Sequence, residues 1–160
     1  MRIQDMAKLL LCIGSCLGAG FLGSIFMTGS IGTWYANIKK PAFNPPDWIF
    51  APVWTTLYIL MGISAFLVWQ KGFEKPAVRA ALAVFSIQLI LNVLWTPAFF
   101  GARSPLLGLF VIIPLWCAIL YTIILFYGIS RISAVILAPY FTWVSFAVFL
   151  NAALFYLNRG

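Results

Sequence analysis

The chemistry open to this chain is limited first by the ionisable side chains that it lacks. Its 160 residues contain no histidine and only three acids, Asp5, Asp47 and Glu74. Histidine is the most common general base and a frequent ligand of zinc and haem iron, so its absence removes most such sites. The acids are too scattered for a carboxylate pair, and no catalytic triad or phosphate-binding loop is recognisable. The sequence therefore predicts no metal site, no required cofactor and no conventional catalytic constellation.

The side chains that remain available for recognition are aromatic, since Phe, Trp and Tyr make up 18% of the chain. Trp54, Trp95 and Trp143 lie deep inside apolar segments, beside small or polar residues. A concave site with aromatic walls and a few amides suits a large, flat, apolar ligand. Trp34 and Trp69 lie nearer the segment ends, where they also fit the aromatic belt of a membrane interface.

The composition is that of a membrane protein, because 64% of the residues are hydrophobic and only 8% are charged. Soluble domains have about 45–50% apolar and about 25% charged residues. The charged residues leave five uncharged spans, each long enough for a membrane helix of about 20 residues: 9–38, 48–70, 80–102, 104–130 and 132–158. The first apolar run is longer than the apolar core of about 7–15 residues in a signal peptide, so we expect it to be a retained helix.

The sequence thus predicts an all-α fold, a single domain over 1–160 built as a five-transmembrane-helix bundle. We expect the helices at about 8–28, 48–69, 77–100, 105–127 and 132–157. The net charge of +7 is carried by short loops between apolar spans, which does not favour a nucleic-acid partner. We expect a multi-pass protein of a bacterial membrane, inner or outer, with lipid around it.

The long first loop is predicted to be structured. The stretch 34–58 contains four prolines, and proline cannot continue a helix because it fixes φ and lacks an N–H. We interpret the loop as a lid with a basic rim of Lys39, Lys40 and Arg103. An aromatic cavity with a basic rim suits a flat apolar body that bears carboxylates, as a porphyrin or haem does. Basic loop residues are also common at membrane edges, so the charge alone leaves this open.

Side-chain amides within a predicted membrane helix are a second indication of a polar site inside the bundle. Gln88 and Asn92 lie one turn apart on the third predicted helix. An amide that faces lipid is costly, so both should point inward, either to bond a neighbouring helix or to contact a ligand. Pro97, further along, is expected to kink this helix. On the fifth helix one face carries Tyr140, Trp143, Ala147 and Asn151.

Five motifs in this order resemble the TspO/MBR family, that is, the tryptophan-rich sensory proteins and the mitochondrial translocator or peripheral benzodiazepine receptor proteins. They are WY at 34–35, KPAFNPP at 40–46, PVWTTLY at 52–58, QLILNVLWTPAFFGAR at 88–103 and PYFTWVSFAVFLN at 139–151. The resemblance implies a five-helix bundle, usually a homodimer, whose first loop covers a pocket. It also implies porphyrin, haem or related tetrapyrrole ligands, benzodiazepine-type ligands and, in some members, cholesterol. One departure is Phe43, where the family often has tryptophan.

The resemblance assigns roles to individual positions. Tyr35, Trp54, Asn92, Trp95, Trp143 and Ala147 match positions that line or approach the family pocket. Some members are associated with light-dependent breakdown of protoporphyrin, which makes Trp54 and Trp143 the catalytic candidates. The family's sterol motif has a candidate in Leu154, Tyr156 and Arg159. Together, the residues and the resemblance predict these ligand-binding residues: Trp34, Tyr35, Trp54, Tyr58, Gln88, Asn92, Trp95, Tyr140, Trp143, Ala147 and Asn151.

The predicted function is tetrapyrrole binding in porphyrin sensing, regulation or transport. The alternatives are a light-dependent porphyrin-degrading enzyme and a translocator that binds sterol or another lipophile.

Overall fold

The computed structural model describes residues 3–159. In that part of the chain all the regular secondary structure is helical, and loops connect the helices. The helices are α1 (Ile3–Ile31), α2 (Trp34–Asn37), α3 (Phe50–Trp69), α4 (Pro76–Thr96), α5 (Pro105–Ile129), α6 (Arg131–Ile136) and α7 (Ala138–Asn158). A 3₁₀ turn, Asp47–Ile49, leads into α3, and a π-helical turn, Pro97–Gly101, continues α4. No strand occurs between residues 3 and 159, so the all-α prediction is confirmed.

Five segments are long and apolar enough to cross a membrane, as the uncharged spans predict. They are Ile3–Ile31, Asp47–Trp69, Pro76–Gly101, Pro105–Ile129 and Arg131–Asn158. The first is longer at both ends than the expected 8–28, because the helix continues through Lys8 and Asp5 beyond the apolar run. A helix satisfies its own backbone hydrogen bonds, so nothing forces it to end where the membrane does.

Two prolines break the regular helices. After Pro97 the backbone bonds span five residues: the Ala102 N–H donates to the Pro97 carbonyl at 2.8 Å and the Ser104 N–H to the Phe99 carbonyl at 3.1 Å. This is the distortion expected from Pro97. The fifth span, expected as one helix over 132–157, is instead divided at Leu137 into α6 and α7. Pro139 lacks the N–H that would bond the carbonyl four residues earlier, so the helix restarts with proline in its first turn.

The helices pack around one main apolar core. Helix α1 lies against α3 and α4, α4 lies against α5, and α5 lies against α7. Met61, Val68, Ala81 and Phe126 in this core are fully buried. The outer surface is apolar as well, as a protein surrounded by acyl chains requires.

Gly62 on α3 allows a close approach to α1. A Cβ added there would lie 2.5 Å from Cα and 2.8 Å from N of Ile13 on α1. Small residues allow such contacts between membrane helices, where the hydrophobic effect does not drive association. This contact holds the N-terminal half of α1 tightly against α3.

Gly62→Ala should therefore destabilise the bundle, because the new methyl group meets backbone atoms that cannot rotate away. We expect a loss of about 1–3 kcal/mol, typical of overpacking, measured by thermal unfolding in detergent. The matched control is Gly14→Ala on α1, where a Cβ meets nothing within 4 Å. Gly14→Ala should be neutral or slightly stabilising, since alanine favours a helix. Equal stability of the two variants would contradict the close contact at Gly62.

Candidate functional site

A chain of buried hydrogen bonds joins three helices at the centre of the bundle. The Tyr58 hydroxyl donates to Asn92 Oδ1 at 2.5 Å, Asn92 Nδ2 donates to the Tyr140 hydroxyl at 2.9 Å, and the Tyr140 hydroxyl donates to Gln88 Oε1 at 2.8 Å. Gln88 and Asn92 are only 1% and 2% exposed, so their predicted inward orientation is confirmed. Of the two roles left open for these amides, the structure shows bonds to neighbouring helices, and Asn92 also lines a cavity.

The larger of two cavities, with a volume of about 360 Å³, lies between α1, the start of α3 and the end of α4. Four predicted residues line it: Trp54, Tyr58, Asn92 and Trp95. Its other side is formed by α1, which contains none of the residues predicted from the sequence to bind a ligand. Several of its lining residues, Phe21, Ser24, Thr28 and Thr55, are exposed on the outer surface. The cavity therefore opens sideways between α1 and α3.

The smaller cavity, of about 20 Å³, lies among α3, α4, α7 and the lid. A site of this size holds no more than about one water molecule. Its lining includes six of the predicted residues, Tyr35, Trp54, Trp95, Trp143, Ala147 and Asn151. The predicted pocket residues thus come together, but the space between them is small.

Aromatic side chains form the wall between the two cavities. Phe50, Trp54, Trp95 and Phe100 line both of them. The Trp54 ring stacks on Tyr58 with centroids 5.6 Å apart and lies 6.5 Å from the Trp95 ring. These four residues therefore lie between the two cavities.

Asn151 fixes one edge of that wall. Its Oδ1 accepts a hydrogen bond from Trp95 Nε1 at 3.2 Å, and its Nδ2 donates to the Pro105 carbonyl at 2.7 Å. Asn151 therefore ties α7 both to the ring of Trp95 on α4 and to the first turn of α5.

The lid is held closed from two sides. The Tyr35 hydroxyl donates to Asn44 Oδ1 at 2.7 Å, and Lys40 Nζ lies 4.4 Å from the centroid of the Tyr35 ring. Burial, with the nearby Asp47, raises the pKa of Tyr35 to about 12 although the Asn44 bond lowers it, so the hydroxyl keeps its proton at neutral pH. On the other side Asn158, at the end of α7, accepts from the Lys39 N–H and donates to the Lys39 carbonyl, both at 2.9 Å.

Some predicted residues lie away from both cavities. Lys39, Lys40 and Arg103 line neither of them, so these basic groups belong to the lid and loops. Trp34 packs edge-on against Phe99 at 5.6 Å, outside both linings. Gln88 and Tyr140 also line neither cavity, and both belong to the buried chain of hydrogen bonds.

The sterol-motif residues do not share a surface. Leu154 is 1% exposed and lines the smaller cavity, whereas Tyr156 is 64% exposed. Arg159 lies over the Tyr156 ring, with its Cζ 4.1 Å from the centroid. A spacing of two residues on a helix places side chains on nearly opposite faces, which explains the separation.

The contribution of α1 could have been suspected from its glycines. Gly20 faces the ring of Tyr58, and a Cβ at Gly23 would lie 2.9 Å from Thr96 Oγ1. Gly14 and Gly18 are spaced four residues apart on the same helix, as Ala19 and Gly23 are, but a Cβ at either glycine would meet nothing within 4 Å. The pattern alone does not show which glycines face the cavity.

Metal ligation has no support in the part of the chain that the structure describes. Between residues 3 and 159 no group of three or more His, Cys, Asp or Glu side chains is placed to hold an ion.

These features define a multi-pass membrane protein with an aromatic, lid-covered site. The model of the TspO/MBR family matches residues 12–157, so the chain belongs to this family. It is 45% identical to tryptophan-rich protein TspO of Chlorobaculum tepidum, over 97% of this chain and 98% of that protein. It is 44% identical to tryptophan-rich protein TspO of Archaeoglobus fulgidus, over 97% and 99% of the two chains. It is 39% identical to the human translocator protein, over 88% and 83%.

The family resemblance seen in the motifs is thus confirmed, and so is the localisation. Five membrane-spanning helices together with bacterial relatives support a multi-pass protein of a bacterial membrane.

The closure of the lid by Asn158 can be tested directly. Asn158→Ala removes both bonds to Lys39, so the hydrogen-bonded amide protons of the lid, those of Lys39 and Asn44, should exchange about tenfold faster. A factor of ten corresponds to a loss of about 1.4 kcal/mol. Hydrogen exchange read by mass spectrometry in nanodiscs measures this. The matched control is Asn37→Ala, because the Asn37 side chain bonds only the Thr33 carbonyl of its own turn. Unchanged exchange in Asn158→Ala would show that the lid is held by other contacts.

Proposed function

We propose that this protein binds a tetrapyrrole such as protoporphyrin or haem and acts in porphyrin sensing, regulation or transport. The observation that carries the proposal is the pair of adjacent cavities that share an aromatic wall of Phe50, Trp54, Trp95 and Phe100. Aromatic rings favour stacked or edge-on contact with flat ligands. The ligand would occupy the larger cavity and extend into the smaller one once the wall moves.

Size supports a ligand of this class. Pockets for small molecules span about 300–1,000 Å³, and the larger cavity alone has about 360 Å³. The smaller cavity lies under the lid, where Phe43 touches Phe146 edge-on at 6.3 Å. Lys39 and Lys40 belong to the same lid, so propionates that reach the lid would meet positive charge. A homodimer, which the family resemblance implies, stays a prediction.

Binding is tested by titrating the protein in nanodiscs with protoporphyrin in the dark, read by porphyrin absorbance. Trp54→Ala should weaken binding about tenfold, because it removes a ring that lines both cavities and stacking of this kind contributes about 1.4 kcal/mol. The matched control is Trp69→Phe, since Trp69 packs on Phe73 at 6.1 Å and lines neither cavity. If the wild type shows no saturable change, the tetrapyrrole proposal is wrong.

A second candidate is the light-dependent degradation of porphyrin. The observation that favours it is that Trp54 and Trp143 both line the smaller cavity, within reach of a ligand held there. Under illumination Trp54→Phe and Trp143→Phe should slow the loss of porphyrin absorbance while dark binding is retained. Equal rates in wild type and both variants would leave binding as the function.

The third candidate is a translocator for sterol or another lipophile. The sideways opening of the larger cavity between α1 and α3 favours it, because a lipophile dissolved in the bilayer has direct access. Saturable displacement of protoporphyrin by cholesterol in the same nanodiscs would support this candidate.

A further inference from the structure

The buried chain of hydrogen bonds has a direction, and its last donor is unused. Reading from the cavity inward, each hydroxyl or amide donates to the next: Tyr58 to Asn92, Asn92 to Tyr140, and Tyr140 to Gln88. Gln88 Nε2 has no hydrogen-bond partner, the only buried side-chain nitrogen or oxygen of residues 3–159 in that state. An unpaired buried polar atom costs about 1–3 kcal/mol, so the chain already carries this cost at its inner end.

The same four side chains can be bonded in the opposite direction. If both amides turn over, Gln88 Nε2 donates to the Tyr140 hydroxyl, Tyr140 donates to Asn92 Oδ1, and Asn92 Nδ2 donates to the Tyr58 oxygen. An amide carries its acceptor and its donors at nearly equivalent positions, and a hydroxyl rotates to suit its partners, so the heavy atoms stay close to their places. The reversal leaves the amide oxygen of Gln88 unpaired in place of its nitrogen and frees the hydroxyl proton of Tyr58.

The contact between Tyr58 and Asn92 sets the direction without ligand. Its 2.5 Å separation suits an O–H···O bond, whereas an N–H···O bond prefers about 2.9 Å. Reversal must therefore lengthen this contact by a few tenths of an ångström. Something on the cavity side has to compensate for that change.

The freed proton lies at the larger cavity, because Tyr58 and Asn92 both line it. The hydroxyls of Ser24, Thr28 and Thr55 around the same cavity all donate to carbonyls of their own helices. Reversal of the chain adds the Tyr58 hydroxyl to the hydrogen-bond donors that face this cavity.

We propose that Tyr58 is a specificity-determining residue of the larger cavity, and that reversal of the Tyr58–Asn92–Tyr140–Gln88 chain lets its hydroxyl donate to a hydrogen-bond acceptor on a flat apolar ligand. The class of ligand is an aromatic or conjugated ring system with a carbonyl or similar neutral acceptor at its edge. The proposal rests on the proposed ligand site and adds a chemical requirement to it.

A matched pair of probes tests this requirement. Fluorenone and fluorene have nearly the same flat shape, but only fluorenone carries a carbonyl acceptor. Wild-type protein in nanodiscs should prefer fluorenone, and Tyr58→Phe should reduce that preference about fivefold, the factor for one net hydrogen bond. Tyr121→Phe, on the exposed face of α5, is the control and should leave the preference unchanged.

Gln88→Leu gives a result that a simple packing role does not predict. Leucine removes the acceptor at the inner end of the chain, so the Tyr140 hydroxyl must donate to Asn92 and the chain reverses before any ligand binds. The preference for fluorenone should then rise by roughly fivefold, the effect of removing about 1 kcal/mol of reversal cost. Gln88→Met is the second variant if leucine impairs folding.

The carbonyl stretch of bound fluorenone gives a spectroscopic check. It should move to lower frequency in the wild type and in Gln88→Leu than in Tyr58→Phe. An unchanged preference and an unchanged carbonyl band in Tyr58→Phe would overturn the proposal, as would a lower preference in Gln88→Leu. If neither probe nor protoporphyrin binds saturably, the proposed function itself fails, which is a different outcome from equal binding of the two probes.

Discussion

The structure depends on one constraint, that polar groups inside the bundle find partners among themselves because no water is present at the centre of a bilayer. The bonds among Tyr58, Asn92, Tyr140 and Gln88 meet this constraint for the buried amides except at Gln88 Nε2, and they fix α3, α4 and α7 relative to one another. Ser64, which donates to the Ser133 carbonyl at 2.9 Å, does the same between α3 and α6. Apolar side chains alone give little preference for one arrangement of helices, since lipid is as apolar as they are.

The aromatic site follows from that polar frame. Tyr58 is held by Asn92, and Trp54 stacks on Tyr58, so the amide chain indirectly positions the wall between the cavities. The wall itself is bonded at one edge only, where Trp95 donates to Asn151. The site therefore combines a polar floor that is fixed by hydrogen bonds with a wall of packed rings, under a lid that Tyr35 and Asn158 hold at its two sides.

Much of this was predictable because single residues carry the reason for their positions. Uncharged spans predict membrane helices, an amide such as Asn92 must point inward, and prolines such as Pro97 disturb the helix that contains them. What the sequence did not predict depends on how helices are rotated against their neighbours. Gly14 and Gly23 look alike in the sequence, yet only Gly23 meets another helix. For the same reason the larger cavity beside α1 and the small volume of the other cavity could not be derived from the sequence.

A ligand site inside a membrane works under different energetics from one in a soluble protein. An apolar ligand that moves from lipid into the larger cavity leaves an apolar environment for another, so burial of its surface contributes little to binding. Affinity must then come from ring contacts with residues such as Trp54 and Trp95, and selectivity from the few polar groups within reach. A hydrogen bond there meets no competition from water and is stronger in the low dielectric. The direction of one buried chain that ends at Tyr58 is for this reason enough to separate ligands that differ by a single acceptor atom.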